Sequence, residues 1–290
     1  MESNKAVTII GLGDMGRVLA STLLRHGYKV TIWNRTAAKA APLIQEGALF
    51  IPDIATAIAA SPAIITCVTN YDNTRSILNT AGVASVLTGK VQIELSSGTP
   101  KNARDSAAWA RERNMEYIDG AILATPSQIG RPDTPVFVSG SKSAYEQHEH
   151  ILKALAGGLQ YMGEEPGAAA TWDMGFLSTL FGMSTGFFHG AQIFQSEGIP
   201  VAALGAMISH TAPVLGEMIK QQAEVIQAGD YSNPESSLNI CADGVQYFLQ
   251  QAKEAGINAE IPSFILGLFK RAQAAGYGNE QLASVFKVLK

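Results

Sequence analysis

The chain has 290 residues, a formal net charge of −4 and only 16% charged side chains. That length accommodates two ordinary domains, and an acidic balance without a basic block excludes nucleic-acid binding by bulk electrostatics. A charged fraction well below the usual figure of about 25% implies hidden surface, most simply a large subunit interface. β-branched runs at 6–10, 29–33, 63–68, 91–95, 117–123, 135–139 and 159–162 predict strands. Helical stretches at 15–26, 37–46, 53–60, 73–78, 102–114 and 143–155 alternate with them. Continuous apolar strands separated by helices indicate a parallel sheet covered on both faces. After the breaker Gly163-Glu-Glu-Pro-Gly167 the β signal ends, and helices are expected at 168–195, 201–226, 234–255, 261–275 and 280–289. The expected division is a first domain over 1–164 and a helical one over 165–290, led by a long helix of about 168–195.

Two cysteines, Cys67 and Cys241, lack any paired spacing. That suits a reducing, cytoplasmic compartment and argues against a disulfide framework or a structural zinc. The start, Met1-Glu-Ser-Asn-Lys-Ala, is unlike a signal peptide. The longest apolar run, 174–188, covers 15 residues, short of the roughly 20 that span a bilayer, so no membrane segment is expected. His148 and His150 do not share a helix face, and no HExxH-like spacing occurs, so no metal site is expected.

Gly11-Leu12-Gly13-Asp14-Met15-Gly16 follows the first strand and opens a helix. In that context the first glycine permits the turn, the second admits a pyrophosphate, and the third packs helix on strand. The helix N-terminus then faces the phosphate charge. At the end of the second strand a dinucleotide site for NAD wants an acid. This chain has Asn34-Arg35-Thr36 and then Lys39. Asn34 does not repel a 2′-phosphate, Arg35 can grip one bidentately, and Thr36 and Lys39 add a donor and a charge. The cofactor reading is NADPH. Val68-Thr69-Asn70 and Ser97, at two further strand ends, are expected to approach it, while Thr99 before Pro100 fits a helix N-cap. The expected fold is therefore a Rossmann-type doubly wound parallel sheet, a long interdomain helix and an all-helical C-terminal domain.

Asp173 is the single formally charged side chain between Glu165 and Glu197. A carboxylate is almost never fully buried unless something pairs with it or uses it. In the same helix Gly182, Gly186 and Gly190 recur on one face, at a cost of about 1 kcal/mol each relative to alanine. A closely packed helix from a second subunit would offset that.

On these residues the chain resembles the β-hydroxyacid dehydrogenase superfamily and, more narrowly, its NADPH-dependent imine reductases and reductive aminases. The resemblance covers essentially the whole chain, including a C-terminal domain like that of 6-phosphogluconate dehydrogenase. Glu94–Pro100 matches the D-x-S-[ST]-x-x-P segment except at Glu94. Asp119-Gly-Ala-Ile-Leu-Ala-Thr-Pro126 replaces the loop that cradles a substrate carboxylate, and Pro126 has no N–H to donate. Where the hydroxyacid enzymes keep a catalytic lysine, this chain has Asp173. A carbonyl gains negative charge during hydride addition, whereas an iminium loses positive charge, so the resemblance implies reduction of C=N bonds. It implies Asp173 as proton donor or iminium stabiliser, with Ser97 orienting nicotinamide or substrate. The expected pocket is shaped by Ile122, Leu123, Trp172, Phe176 and Phe181, in a homodimer whose partner adds residues such as Asn239, Asp243 or Tyr247. Burial among these aromatics is expected to raise the Asp173 pKa. Two alternatives stay open at this point, a hydroxyacid or small-aldehyde dehydrogenase and a non-catalytic NADPH-binding sensor.

Overall fold

The first unit is built on an eight-stranded sheet with the order β3-β2-β1-β4-β5-β6-β7-β8. A computed structural model describes residues 5–289; the targeting reading of Met1–Asn4 lies outside them. In chain order the elements are β1 (Ala6–Ile10), α1 (Asp14–Arg25), β2 (Lys29–Trp33), α2 (Ala41–Gln45), β3 (Leu49–Phe50), α3 (Ile54–Ala59), β4 (Ala63–Thr66) and α4 (Tyr71–Leu78). They continue with β5 (Val91–Glu94), α5 (Pro100–Arg111), β6 (Glu116–Ile122), β7 (Pro135–Gly140), α6 (Lys142–Leu155) and β8 (Gly158–Tyr161).

All strand pairs are parallel except β6 with β7. That pair adds one antiparallel neighbour to the expected parallel sheet: β6 and β7 are joined without a crossover helix, so β7 runs back along β6. Period-2 alternation distributes the strand side chains between two cores. Val7, Ile9, Ala63 and Ile65 pack with α1 and α6, whereas Ile10 and Ile64 pack with α3 and α4. Both faces are covered, which is why the strands read as continuous apolar runs.

Some local expectations are corrected by backbone chemistry. Pro42 near the start of α2 restricts that helix to five residues behind a 3₁₀ turn at Ala37–Ala40. Edge strand β3 is two residues long, too short to register as a pattern.

The long helix α7 (Ala168–Ser196) is followed by α8 (Val201–Ala228), α9 (Leu238–Ala255) and α10 (Glu260–Ala274). The chain divides into compact units within α7, one reaching Ser178 and the other starting at Thr179. Helix α9 starts after Ser237, whose hydroxyl caps it by accepting from the Ile240 N–H, and not at Pro234 as expected. The last segment, Leu282–Val288, is 3₁₀ and not α-helical. A bridge from Gln281 to Ser237 pins its start, and it has no side-chain cap. No helix among the described residues is long and apolar enough to cross a membrane.

Candidate active site

The sheet order reverses between β1 and β4, and a crevice opens there beyond the carboxyl ends of the strands. The turn Gly11–Gly16 forms its floor. Gly11 has φ +103°, and a Cβ there would collide with the Cys67 carbonyl. A Cβ on Gly16 would collide with the Gly11 carbonyl, so helix α1 sits directly on the turn. Gly13 has open space where its Cβ would be, which leaves the helix start approachable. A cavity of about 460 Å³ covers this turn, with Asn34, Arg35, Thr36, Lys39, Val68 and Thr69 also on its walls. Neither Arg35 nor Lys39 has an ion-pair partner among the described residues. Asn34 braces the turn: its Oδ1 accepts from the Leu12 N–H at 3.0 Å, and its Nδ2 donates to the Thr36 carbonyl at 3.0 Å. Asp14 is held by Arg17 at 2.5 Å. Asn70 caps α4, accepting from the Asn73 N–H at 2.9 Å, and does not line the cavity. The residues present fit NADPH: an uncovered helix N-terminus for phosphate, and two uncommitted cations with no acid at the end of β2.

A second cavity, of about 290 Å³, shares Met15, Cys67 and Val68 with the first. Ser97, Ile122, Leu177 and Asp173 are on its wall, and no lysine, arginine or histidine is. Asp173 is 8% exposed. Loss of solvent pushes its carboxyl above the ordinary carboxylate range. Beside it the Cys67 thiol is pushed up to about 12, by burial first and then by the charge of Glu94. That thiol stays protonated and is no nucleophile.

Residues 6–163 match the family model described as the NAD binding domain of 6-phosphogluconate dehydrogenase, and residues 165–290 match the NADPH-dependent reductive aminase-like C-terminal domain. The NADPH-dependent reductive aminase of Aspergillus oryzae is 31% identical over 290 residues, covering 99% of this chain and 98% of that protein. The chain belongs to the NADPH-dependent reductive aminase family. The imine reductase of Streptomyces aurantiacus superposes with a TM-score of 0.94 at 30% identity, covering 98% of this chain and 99% of that one. A reductive aminase from Aspergillus terreus, solved with NADPH4, cyclohexanone and allyl amine, gives 0.92 at 32% identity, covering 99% and 100%.

In this reductive aminase-family chain the aromatic wall expected around Asp173 is not what buries it. Trp172 is 54% exposed and rests edge-on against Phe137, Phe176 is exposed, and Phe181 is 62% exposed. Leu123 and these three aromatics do not line the cavity. Side chains on one helix point around its axis, so neighbours at i−1 and i+3 need not cover a residue that faces the sheet. Tyr71, Ala170, Leu177 and the Ser96–Gly98 turn surround the Asp173 side of the cavity instead.

Beneath lies a polar layer that pattern reading missed. Glu94 and Asp119 are fully buried. Glu94 accepts from the Ser96 N–H at 3.0 Å and from Gln92 Nε2 at 3.2 Å. Asp119 Oδ1 accepts from Tyr71 at 2.6 Å and from Tyr117 at 2.9 Å. Burial raises both carboxyls, Asp119 to about 7. Two acids embedded in apolar strands were the available signal; of the tyrosines that hold Asp119, Tyr117 is two residues away and Tyr71 is 48. Asn239, suggested for the partner's contribution, is engaged within its own chain by Gln273 at 2.8 Å and Asn279 at 3.1 Å.

Proposed function

We propose that this NADPH-dependent reductase of C=N bonds takes neutral or cationic imines, cyclic ones included, with Asp173 supplying the proton to the nitrogen of a neutral imine or stabilising the charge of an iminium. The observation that carries this reading is the composition of the second cavity: one carboxyl, no cation, and otherwise uncharged walls. A carboxylate-bearing hydroxyacid would find no counter-charge there, and its negative charge would face Asp173. An iminium finds the opposite. The Escherichia coli L-threonate dehydrogenase, 26% identical, represents the hydroxyacid alternative, which this cavity disfavours.

When bound, NADPH supplies the hydride from its nicotinamide. The chain's residues prepare that transfer. Arg35 and Lys39 hold the 2′-phosphate, and the α1 N-terminus takes the pyrophosphate. Asn34 keeps the glycine turn and the β2 end in register. Ser97, whose hydroxyl has no partner among the described residues, orients nicotinamide or substrate. Asp173, its carboxyl raised by burial, donates in its protonated form to the nitrogen of a neutral imine, and in its ionised form it faces the charge of an iminium. Val68 and Met15, common to both cavities, exclude water from the junction.

The helical residues 165–290 are assigned a homodimer interface. Gly182 and Gly186 have no atoms of this chain where their Cβ would be, and Met183 and Phe188 beside them are exposed. A helix from a second copy accounts for both. The two free cysteines fit a cytoplasmic setting.

Assay of 2-methyl-1-pyrroline against glyoxylate and 3-hydroxyisobutyrate, with NADPH or NADP as appropriate, tests the reading. Turnover is expected with the imine. Turnover with the acids alone supports the dehydrogenase alternative, and cofactor binding without any turnover supports a sensor.

A further inference from the structure

The Asp173 cavity has a tyrosine at its wall, and a tyrosine so placed invites assignment as the proton donor. Its surroundings point elsewhere. Tyr71 is 3% exposed, and its hydroxyl donates to Asp119 Oδ1 at 2.6 Å, an oxygen also engaged by Tyr117. Its own ionisation is driven far up, by burial and then by Asp119, Glu94 and Asp173. The proton is committed inward.

We propose that Tyr71 is a positioning residue that sets Ser97 against Asp173, acting through Gly98, Asp119 and Ala170. The inference rests on the C=N reductase reading and deepens it.

Three contacts carry the argument. The ring lies directly on Gly98, where any Cβ would collide with its Cδ2 and Cε2. It packs in a small buried cluster with Ala103 of α5 and Ala170 of α7. Ala170 is one helical turn ahead of Asp173, so the ring seats the turn that carries the acid. The hydroxyl ties all of this to β6 through Asp119. The Ser96–Gly98 turn is thereby held at both ends. Ser96 accepts from the Val68 N–H at 2.9 Å and donates its own N–H to Glu94 at 3.0 Å, while Gly98 lies under the ring. Between them only Ser97 presents an uncommitted side chain to the cavity. Glycine is needed at 98 because the ring occupies the place of its side chain.

Tyr71→Phe keeps the ring and removes the tie, and Asp119→Ala removes the oxygen that accepts it. Both are measured in the full-length chain with NADPH and 2-methyl-1-pyrroline, beside wild type. The expected result for either is a kcat about tenfold lower, with KM and NADPH Kd within about threefold, since misplacement costs rate and not ground-state binding. The primary isotope effect with 4-deuterated NADPH rises, the pH inflection of kcat stays in place, and the double variant is no worse than the singles. Hydrogen exchange of the amides of 95–99, in the NADPH complex, quickens in Tyr71→Phe whatever the substrate. Unchanged exchange and kcat with only a lower Tm overturns the proposal, as does a loss of about 10³-fold with the pH inflection gone, which makes Tyr71 the donor. Wild-type silence on every imine overturns the C=N reading alone, and the exchange comparison still decides Tyr71. Gly98→Ala, which displaces the ring from the opposite side, should reproduce the Tyr71→Phe exchange pattern.

Discussion

Asp173 and Arg35 show what a single side chain contributes when its surroundings are specified. Desolvation raises the Asp173 carboxyl, so its proton-donating form persists further toward neutrality than that of an exposed acid. As pH rises through that raised value the donor is lost. The expected profile of kcat is therefore a falling limb above the ordinary carboxylate range, recorded with a substrate that does not titrate there. Asp173→Ala should lower kcat by about 10²-fold or more while leaving NADPH Kd within about twofold. An unchanged rate would remove Asp173 from the mechanism. Arg35→Ala removes charge-assisted hydrogen bonds worth about 1.5–3 kcal/mol. Titration should show NADPH binding weakened by about 10–100-fold and NADH binding within about threefold, and equal weakening of both would end the 2′-phosphate assignment.

At the scale of elements, the strand ends matter more than the strands. Gly11 sits at φ +103° with the Cys67 carbonyl against it, so Gly11→Ala combines backbone strain with a collision between β1 and the β4 end. Thermal unfolding should register a loss of at least about 1–3 kcal/mol, with NADPH no longer stabilising the fold. The carboxyls inside the sheet predict a stability profile as well. Asp119 titrates at about 7 in the folded chain against about 3.9 when unfolded, so the native state holds a proton that the unfolded state has released. Its stabilising contribution is complete below about pH 4 and declines as pH rises to about 7. Asp119→Asn should flatten the fall of Tm between about pH 4 and 7. Glu94, raised in the same direction, preserves part of the slope.

For the whole molecule, α7 carries the information that one chain does not use. Its exposed Met183 and Phe188 and its open glycines Gly182 and Gly186 make an apolar face that a second copy of the helix would cover. Sedimentation at micromolar concentration should report a dimer, and Gly186→Leu should convert it to monomer by filling the helix-contact surface. A monomeric wild type would refute the dimer assignment.

The alternation of strands and helices, the glycine turn, the missing acid at the β2 end and the lone Asp173 were legible from residue order because each depends on local spacing. Thr99 capping α5 with Pro100 behind it was legible for the same reason, since a cap is satisfied within one turn. Local spacing could not reveal which face of α7 looks toward the sheet, and the aromatic neighbours of Asp173 in sequence proved exposed. Nor could it pair Tyr71 with Asp119, 48 positions away, or reverse β7 against β6. Those contacts depend on which strand ends the sheet brings side by side. The candidate residues for cofactor binding and proton transfer were thus named from sequence alone; the neighbours of Asp173 and the upward shift of its carboxyl were decided by burial, which exists only once the chain has folded.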